Sequence, residues 1–177
     1  MTDKKLLSNE LSLKRLLIDS VFYSGSMNAL ILGSLYYDAE MWVGDYPPDI
    51  QEKFGPKSDR ATRLGYLVAI PFFLIAVGGV VLSNLRLKRA NGGRLSPAAA
   101  FLNAYALFFS IWFVDLTMLD WLLFVTFTPG FVVLPGTEGM DGYDDYGFHF
   151  REHMKALPLL SVPALIIAFL TASRSGR

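Results

Sequence analysis

Cysteine is absent from this chain. That removes disulfides, thiolate nucleophiles, iron–sulfur clusters and Cys-ligated zinc. It leaves the redox compartment open, because a chain without thiols suits either. Charge is scarce: Asp, Glu, Lys and Arg make up 18% of the residues, against about 25% in an average soluble domain. The formal net charge is zero and no basic tail is present, which argues against a nucleic-acid partner. No G-x-S-x-G, P-loop, dinucleotide fingerprint or C-x-x-C occurs, so no nucleotide cofactor is expected. No internal repeat is found, and an inverted-repeat transporter has no support. Histidine occurs twice, at positions 149 and 153.

Apolar residues are abundant, at 53% of 177 residues with a mean hydropathy of +0.37. They gather in long runs with almost no charge. A helix of about 18 or more apolar residues is long enough for a hydrocarbon core of ~30 Å. Four runs qualify, at about 16–37, 64–85, 98–127 and 156–172. The fold class expected is therefore all-α: a four-transmembrane-helix bundle forming one integral membrane domain over 1–177. The first run continues into Tyr36 and Tyr37 with no small-residue cleavage site, so it reads as an uncleaved span rather than a signal peptide. Between the first two runs, PPDIQEKFG predicts a short helix started by proline and closed by glycine. Pro71 inside the second run should kink it. The third run, as a helix of about 45 Å, exceeds what the core needs and must tilt or rise out of it. Thr128-Pro129-Gly130 ends it.

The lysines and arginines orient the spans. Lys4, Lys5, Lys14 and Arg15 precede the first, Arg86, Lys88, Arg89 and Arg94 follow the second, and Arg174 and Arg177 follow the fourth. These stretches hold two acids, Asp3 and Glu10, whereas the other two connections hold eleven. Basic residues near span ends stay cytoplasmic. Both termini are thus expected inside, with a turn-rich cap, 134-LPGTEGMDGYDDYG-147, on the extracytoplasmic face. A bacterial or archaeal cytoplasmic membrane is the expected location, with membrane lipid as a partner and a homo-oligomer or a membrane complex as further partners. Small residues at four-residue spacing, Gly25/Ala29/Gly33 and Ala164/Ala168/Ala172, predict close helix approach.

Three acids fall inside the apolar runs: Asp19, Asp115 and Asp120. Asp19 is close enough to the cytoplasmic end to reach water. Asp115 is deep, and a carboxylate there costs several kcal/mol unless paired, hydrated or protonated. Its expected partners are Tyr23, Ser24 or Asn28 of other spans, or a histidine. Asp120 follows five residues on, about 140° round an α-helix, near the outer interface.

The stretch 139-GMDGYDDYGFHFREH-153 collects both histidines, four acids and four aromatics. His149 and His153, four apart, share one face of a helix and can reach one metal ion. The string HFREH fits H-x-x-E-H, in which two His bind zinc and Glu152 would be the general base. The pattern covers five residues, and no acid follows Glu152 to complete it. Further ligands must come from upstream: Glu138, Asp141, Asp144, Asp145 or Asp120. Haem is excluded, since residues i and i+4 cannot take opposite faces of one iron. The acidic cluster lacks the spacing of an EF-hand loop. The bland alternative is a solvated helix start at the interface.

Two functions follow as expectations. One is a polytopic membrane protein that binds a lipophilic small molecule or lipid, or serves a membrane complex, with Asn28, Trp112 and Tyr146 as ligand-facing residues. The other is a small membrane-embedded enzyme acting on a lipophilic substrate at the outer leaflet. It would use Asp115, Asp120 and Glu152 as acid–base groups and His149 and His153 as ligands for a divalent metal.

Overall fold

The computed structural model describes residues 10–173. It is helical throughout, with no strand among the described residues. Four helical stretches are long and apolar enough to cross a membrane: Leu13–Tyr37, Asp59–Ala90, Pro97–Phe127 and Tyr146–Thr171. We label the helices α1 (Leu13–Tyr37), α2 (Pro48–Phe54), α3 (Asp59–Ala90), α4 (Pro97–Val114), α5 (Tyr146–Ala156) and α6 (Ser161–Thr171). A π-helix, Asp115–Phe127, prolongs α4, and a 3₁₀ turn, Leu157–Leu160, joins α5 to α6.

The helices begin earlier than the apolar runs. Ser12, Ser58, Ser96 and Asp145 each accept a backbone N–H at an N-cap, and capping extends a helix into polar sequence. Hydropathy marks the greasy stretch and not the helix end. The last span shows this most clearly, starting at Tyr146 rather than near residue 156. The short helix expected after Pro47 is present as α2, with Gly55 at φ +87° closing it. α3 runs through Pro71 without a break.

Outward faces are apolar: Phe22, Phe73, Leu74 and Phe169 are all more than 60% exposed. That distribution suits lipid, not water. Inside the bundle, Val80, Ala104, Leu107, Ala164 and Ile167 pack with Tyr23. Ala164 and Ala168 lie in this interior, as their spacing predicted. Gly25, Ala29 and Gly33 instead face outward. α1 packs through the alternate face carrying Tyr23, Ser24, Met27, Ser34 and Leu35, because those larger side chains fill the interior. A close approach between spans involves Gly79 of α3, where a Cβ would lie 2.7 Å from the Tyr23 ring.

Lipid competes evenly for apolar surface, so polar bonds help hold such helices together. Ser83 donates to Asp19 (2.6 Å), Asn103 donates to Ser83 (3.0 Å) and Asn84 (2.9 Å), and Asn84 donates to Thr171 (2.8 Å). One chain of bonds thus ties all four spans. Asp19 was expected to be merely solvated; its carboxylate is held by Ser83. At the same end, Glu10 accepts from Ser96, and Ser173 accepts from the Leu95 amide. The start of the described chain, the α3–α4 connection and the end of α6 therefore meet. Lys4, Lys5, Arg174 and Arg177 lie outside the described residues.

At the opposite end, the 3₁₀ turn Ala39–Asp45, α2 and the stretch 128–145 share a second core of Val43, Tyr46, Ile50, Val132, Leu134 and Tyr143 with Leu35 and Phe124 of the long helices. Tyr46 donates to the Val132 carbonyl (2.8 Å), Tyr143 Oη accepts from the Leu134 amide (2.9 Å), and Asp49 accepts from the Gly142 amide (3.0 Å). These bonds satisfy backbone groups that turns leave free. Thr128, at φ 40°, is the single left-handed non-glycine residue described. It closes the π-helix with its hydroxyl donated to the Phe124 carbonyl at 2.8 Å.

Candidate metal centre and cavity

The change of winding at Asp115 decides the site. In the π segment the hydrogen bonds step back five residues: the Thr128 amide reaches the Leu123 carbonyl at 3.0 Å. An i→i+5 ladder winds about 4.4 residues per turn, so residues five apart return to within about 50° of one another. The α-helical expectation put Asp120 about 140° from Asp115. The π winding corrects that and places both carboxylates on one face.

α5 supplies the imidazoles. Asp145 caps it by accepting from the Phe148 amide at 2.8 Å, and His149 and His153 then project toward the π segment. His153 Nε2 lies 3.3 Å from Asp115 Oδ2, and its Nδ1 lies 3.3 Å from Asp120 Oδ2. The same Nδ1 is 3.1 Å from the His149 carbonyl. His149 Nδ1 lies 3.2 Å from Asp120 Oδ2. Ligand atoms of Asp115, Asp120 and His153 all fall within 4.8 Å of one another, the single such group among the described residues. His149 is 5% exposed, and its Nε2 has no partner. Trp112 donates its indole N–H to the His153 carbonyl at 2.8 Å and sets its ring against the imidazole. It is a buttress behind His153.

Asp115, Asp120, His149 and His153 line a cavity of about 550 Å³, within the usual range for ligand pockets, and Trp112, expected to face a ligand, lies outside its lining. Asp45, Glu152 and Trp42 line it too, with Ile31, Leu35, Phe72, Leu119 and Phe124 forming apolar wall. Asp45 is exposed at the cavity wall, and partial desolvation there shifts its carboxyl above the usual carboxylate range; Lys57 opposes this, and Asp115 and Asp120 add to it. Sequence reading missed Asp45, which sits in a loop among other acids. The one signal was its flanking Trp42 and Tyr46, aromatic residues that anchor the turn in the fold.

Other expectations need correcting. Tyr23, Ser24 and Asn28 do not pair with Asp115: they donate to the carbonyls of Ala76, Ser20 and Ser24 at 2.8, 2.7 and 2.8 Å. Polar side chains on a helix readily bond back to its own carbonyls. Asn28 lines a separate groove, with Met118 and Leu122. Tyr146 lies outside the cavity lining, where its hydroxyl meets Thr126 Oγ1 at 2.8 Å. Glu152 is half-exposed and paired with Lys155, so it stands at the cavity margin and outside the carboxylate–imidazole group. Asp145 is spent on its cap and on Arg151. Glu138 accepts from the Gly136 amide and its own, and these backbone bonds hold its carboxyl below the usual range. Of the upstream acids considered as ligands, Asp120 alone joins the histidines.

Chemically, two carboxylates and an imidazole present a mixed oxygen–nitrogen set, which suits zinc, manganese or iron(II). The Asp120–His149 pair resembles the carboxylate–imidazole unit that fixes a tautomer. A proton on Nδ1 shared with Asp120 leaves Nε2 with its lone pair free. Comparison with family models, curated proteins and solved structures returned no match for this chain.

Proposed function

We propose that this chain is a multi-pass membrane enzyme with cytoplasmic termini and an extracytoplasmic cap. Under that cap, Asp115, Asp120 and His153 hold one divalent cation. The observation that carries the reading is the convergence of these three ligands in one cavity beside the unpartnered His149 Nε2. Two aspartates in a site walled by apolar helices need a positive partner, because desolvated carboxylates side by side are costly. A divalent ion supplies that charge. The chemistry it would supply is Lewis-acid activation of water. His149, oriented by Asp120, would accept a proton at Nε2 or serve as a fourth ligand. The apolar walls suit a lipophilic substrate. The asymmetry of basic residues between the two ends supports the orientation.

The test is elemental analysis of detergent-purified protein after exchange against zinc, manganese and iron(II). We expect close to one equivalent of one ion per chain. Asp115→Asn and His153→Gln lose it, whereas Glu152→Gln keeps it. Absence of any bound ion, or equal retention in all variants, ends this reading.

A further inference from the structure

A second groove of about 450 Å³ lies between α3 and the turn Ala39–Asp45. It shares Trp42, Asp45 and Phe72 with the central cavity, so these three side chains stand between the two spaces. Its floor is one face of α3, with Ala61, Gly65, Ala69 and Phe72 spaced three or four apart. Small residues there leave room: a Cβ added at Gly65 would meet nothing within 4 Å. From Ala61 to Phe73 the floor runs for about 18 Å of helix, the scale of a lipid chain. Its outer flank is the exposed apolar face of α3, including Tyr66 and Phe73. At the other end stands Lys57, the one cation in the groove lining. Its ammonium donates to the Met41 carbonyl and its charge acts on Asp45.

We propose that this groove admits the substrate of the metal site sideways from the membrane, and that the substrate is a single-chain amphiphile with a phosphate head. The inference rests on the metal reading for its destination. The alkyl chain lies along α3, and the head stands between Lys57 and the Asp115/Asp120/His153 centre. Charge decides the class of head. Asp45, Asp115, Asp120 and Glu152 line the cavity and repel an anion, but a bound divalent ion together with Lys57 reverses that sign locally. A phosphate offers oxygens to both at once. Free phosphate would use the same two cations and none of the apolar floor.

The experiment is calorimetric titration of the protein in phosphatidylcholine nanodiscs. The probes are dodecyl phosphate, inorganic phosphate, dodecanol and dodecyltrimethylammonium. In metal-loaded protein, dodecyl phosphate should bind roughly tenfold or more tighter than dodecanol, from charge-assisted bonding to the head. Lys57→Gln should narrow that margin. Gly65→Leu should block dodecyl phosphate and dodecanol and leave inorganic phosphate unaffected, and neither variant should change metal content. A leucine here also raises helix propensity, so the variant is expected to fold. Equal affinity for inorganic and dodecyl phosphate, preference for the cationic head, or indifference to both substitutions overturns the proposal. A chain that binds no metal, yet takes up dodecyl phosphate in a Lys57- and Gly65-dependent way, refutes the metal reading and overturns delivery to a metal, upholding only the groove as a phosphate-amphiphile site. Normal metal content without dodecyl phosphate uptake does the reverse.

Discussion

Replacing Asp120 by Asn is the sharpest perturbation of the centre. Asn keeps the volume and one oxygen but removes the charge and turns N–H donors toward two imidazoles. Asp120 Oδ2 now faces both His149 Nδ1 and His153 Nδ1, at 3.2 and 3.3 Å. Loss of a supporting partner alone weakens metal affinity by roughly 10- to 100-fold, and Asp120 is also a proposed ligand. With free ion at 100 times the wild-type Kd, binding stabilises the fold by about 2.7 kcal/mol. If affinity falls 100-fold, about 0.4 kcal/mol remains by the same relation, a loss of about 2.3 kcal/mol. For a chain of this size each kcal/mol moves Tm by roughly 2–4 °C. The metal-induced rise in Tm should therefore shrink by about 5–9 °C. The assay is differential scanning fluorimetry of chelator-stripped protein in detergent, with and without added ion. Because each variant is compared with its own metal-free form, a general loss of stability cancels. Glu152→Gln is the control and should keep the full rise. Should Asp120→Asn retain the wild-type rise, or should zinc, manganese and iron(II) all leave wild type unmoved, the reasoning about this centre is wrong.

Three further outcomes follow from other parts of the molecule. Asp45 is exposed, and partial desolvation raises its pKa, so folding mildly favours its neutral form; the cost, reduced by solvent screening, is absent below the unfolded carboxylate range near 4 and grows as pH rises through it toward the raised value. Asp45→Asn should therefore raise the Tm of metal-free protein at pH 8 and give no gain at pH 4, as thermal melts at the two pH values would reveal. Gly79→Ala drives a methyl into the Tyr23 ring, whose hydroxyl is anchored on the Ala76 carbonyl at 2.8 Å, and should cost roughly 1–3 kcal/mol. Gly78→Ala meets nothing within 4 Å and should cost none of it; thermal melts of the pair decide. Asn84→Leu removes bonds to Thr171, Asn103 and the Ala100 carbonyl and should lower stability by roughly 1–3 kcal/mol, while metal content stays at the wild-type level because the site is at the other end.

Hydropathy revealed the four apolar helices because length and lack of charge are one-dimensional properties. It could not reveal where helices start, since Ser58 and Asp145 extend α3 and α5 into polar sequence through caps. The pairing of His149 with His153 was visible because four-residue spacing is what an α-helix rewards. Asp115 stood out by depth alone, and its companions were misassigned because Ser24 and Asn28 could bond within their own helix. Asp45 was hidden by company: in a loop rich in acids nothing distinguishes the carboxyl that lines the cavity. The outward turn of Gly25, Ala29 and Gly33 was equally invisible, as small residues are compatible with an inner or an outer face.

The π winding was the least legible feature, and the energetics of the two aspartates give it a reason. Under α winding one of the pair would face away from the histidines, toward lipid or the opposite side of the bundle. An unpaired carboxylate at such depth costs several kcal/mol. A π segment gives poorer side-chain packing and is rare, and short π-bulges often accompany functional sites. Thirteen residues of it, beginning at Asp115 itself, place both acids against one imidazole and one shared cavity. The spacing of cavity-lining residues, Asp115, Asp120 and Phe124, averages close to the π repeat and not the α repeat. Two acids five apart in an apolar run are thus a readable sign after all, provided the helix period is left free. The favourable placement of charge offsets the unfavourable backbone geometry, so the centre and the irregular helix that carries it are two aspects of one energetic balance.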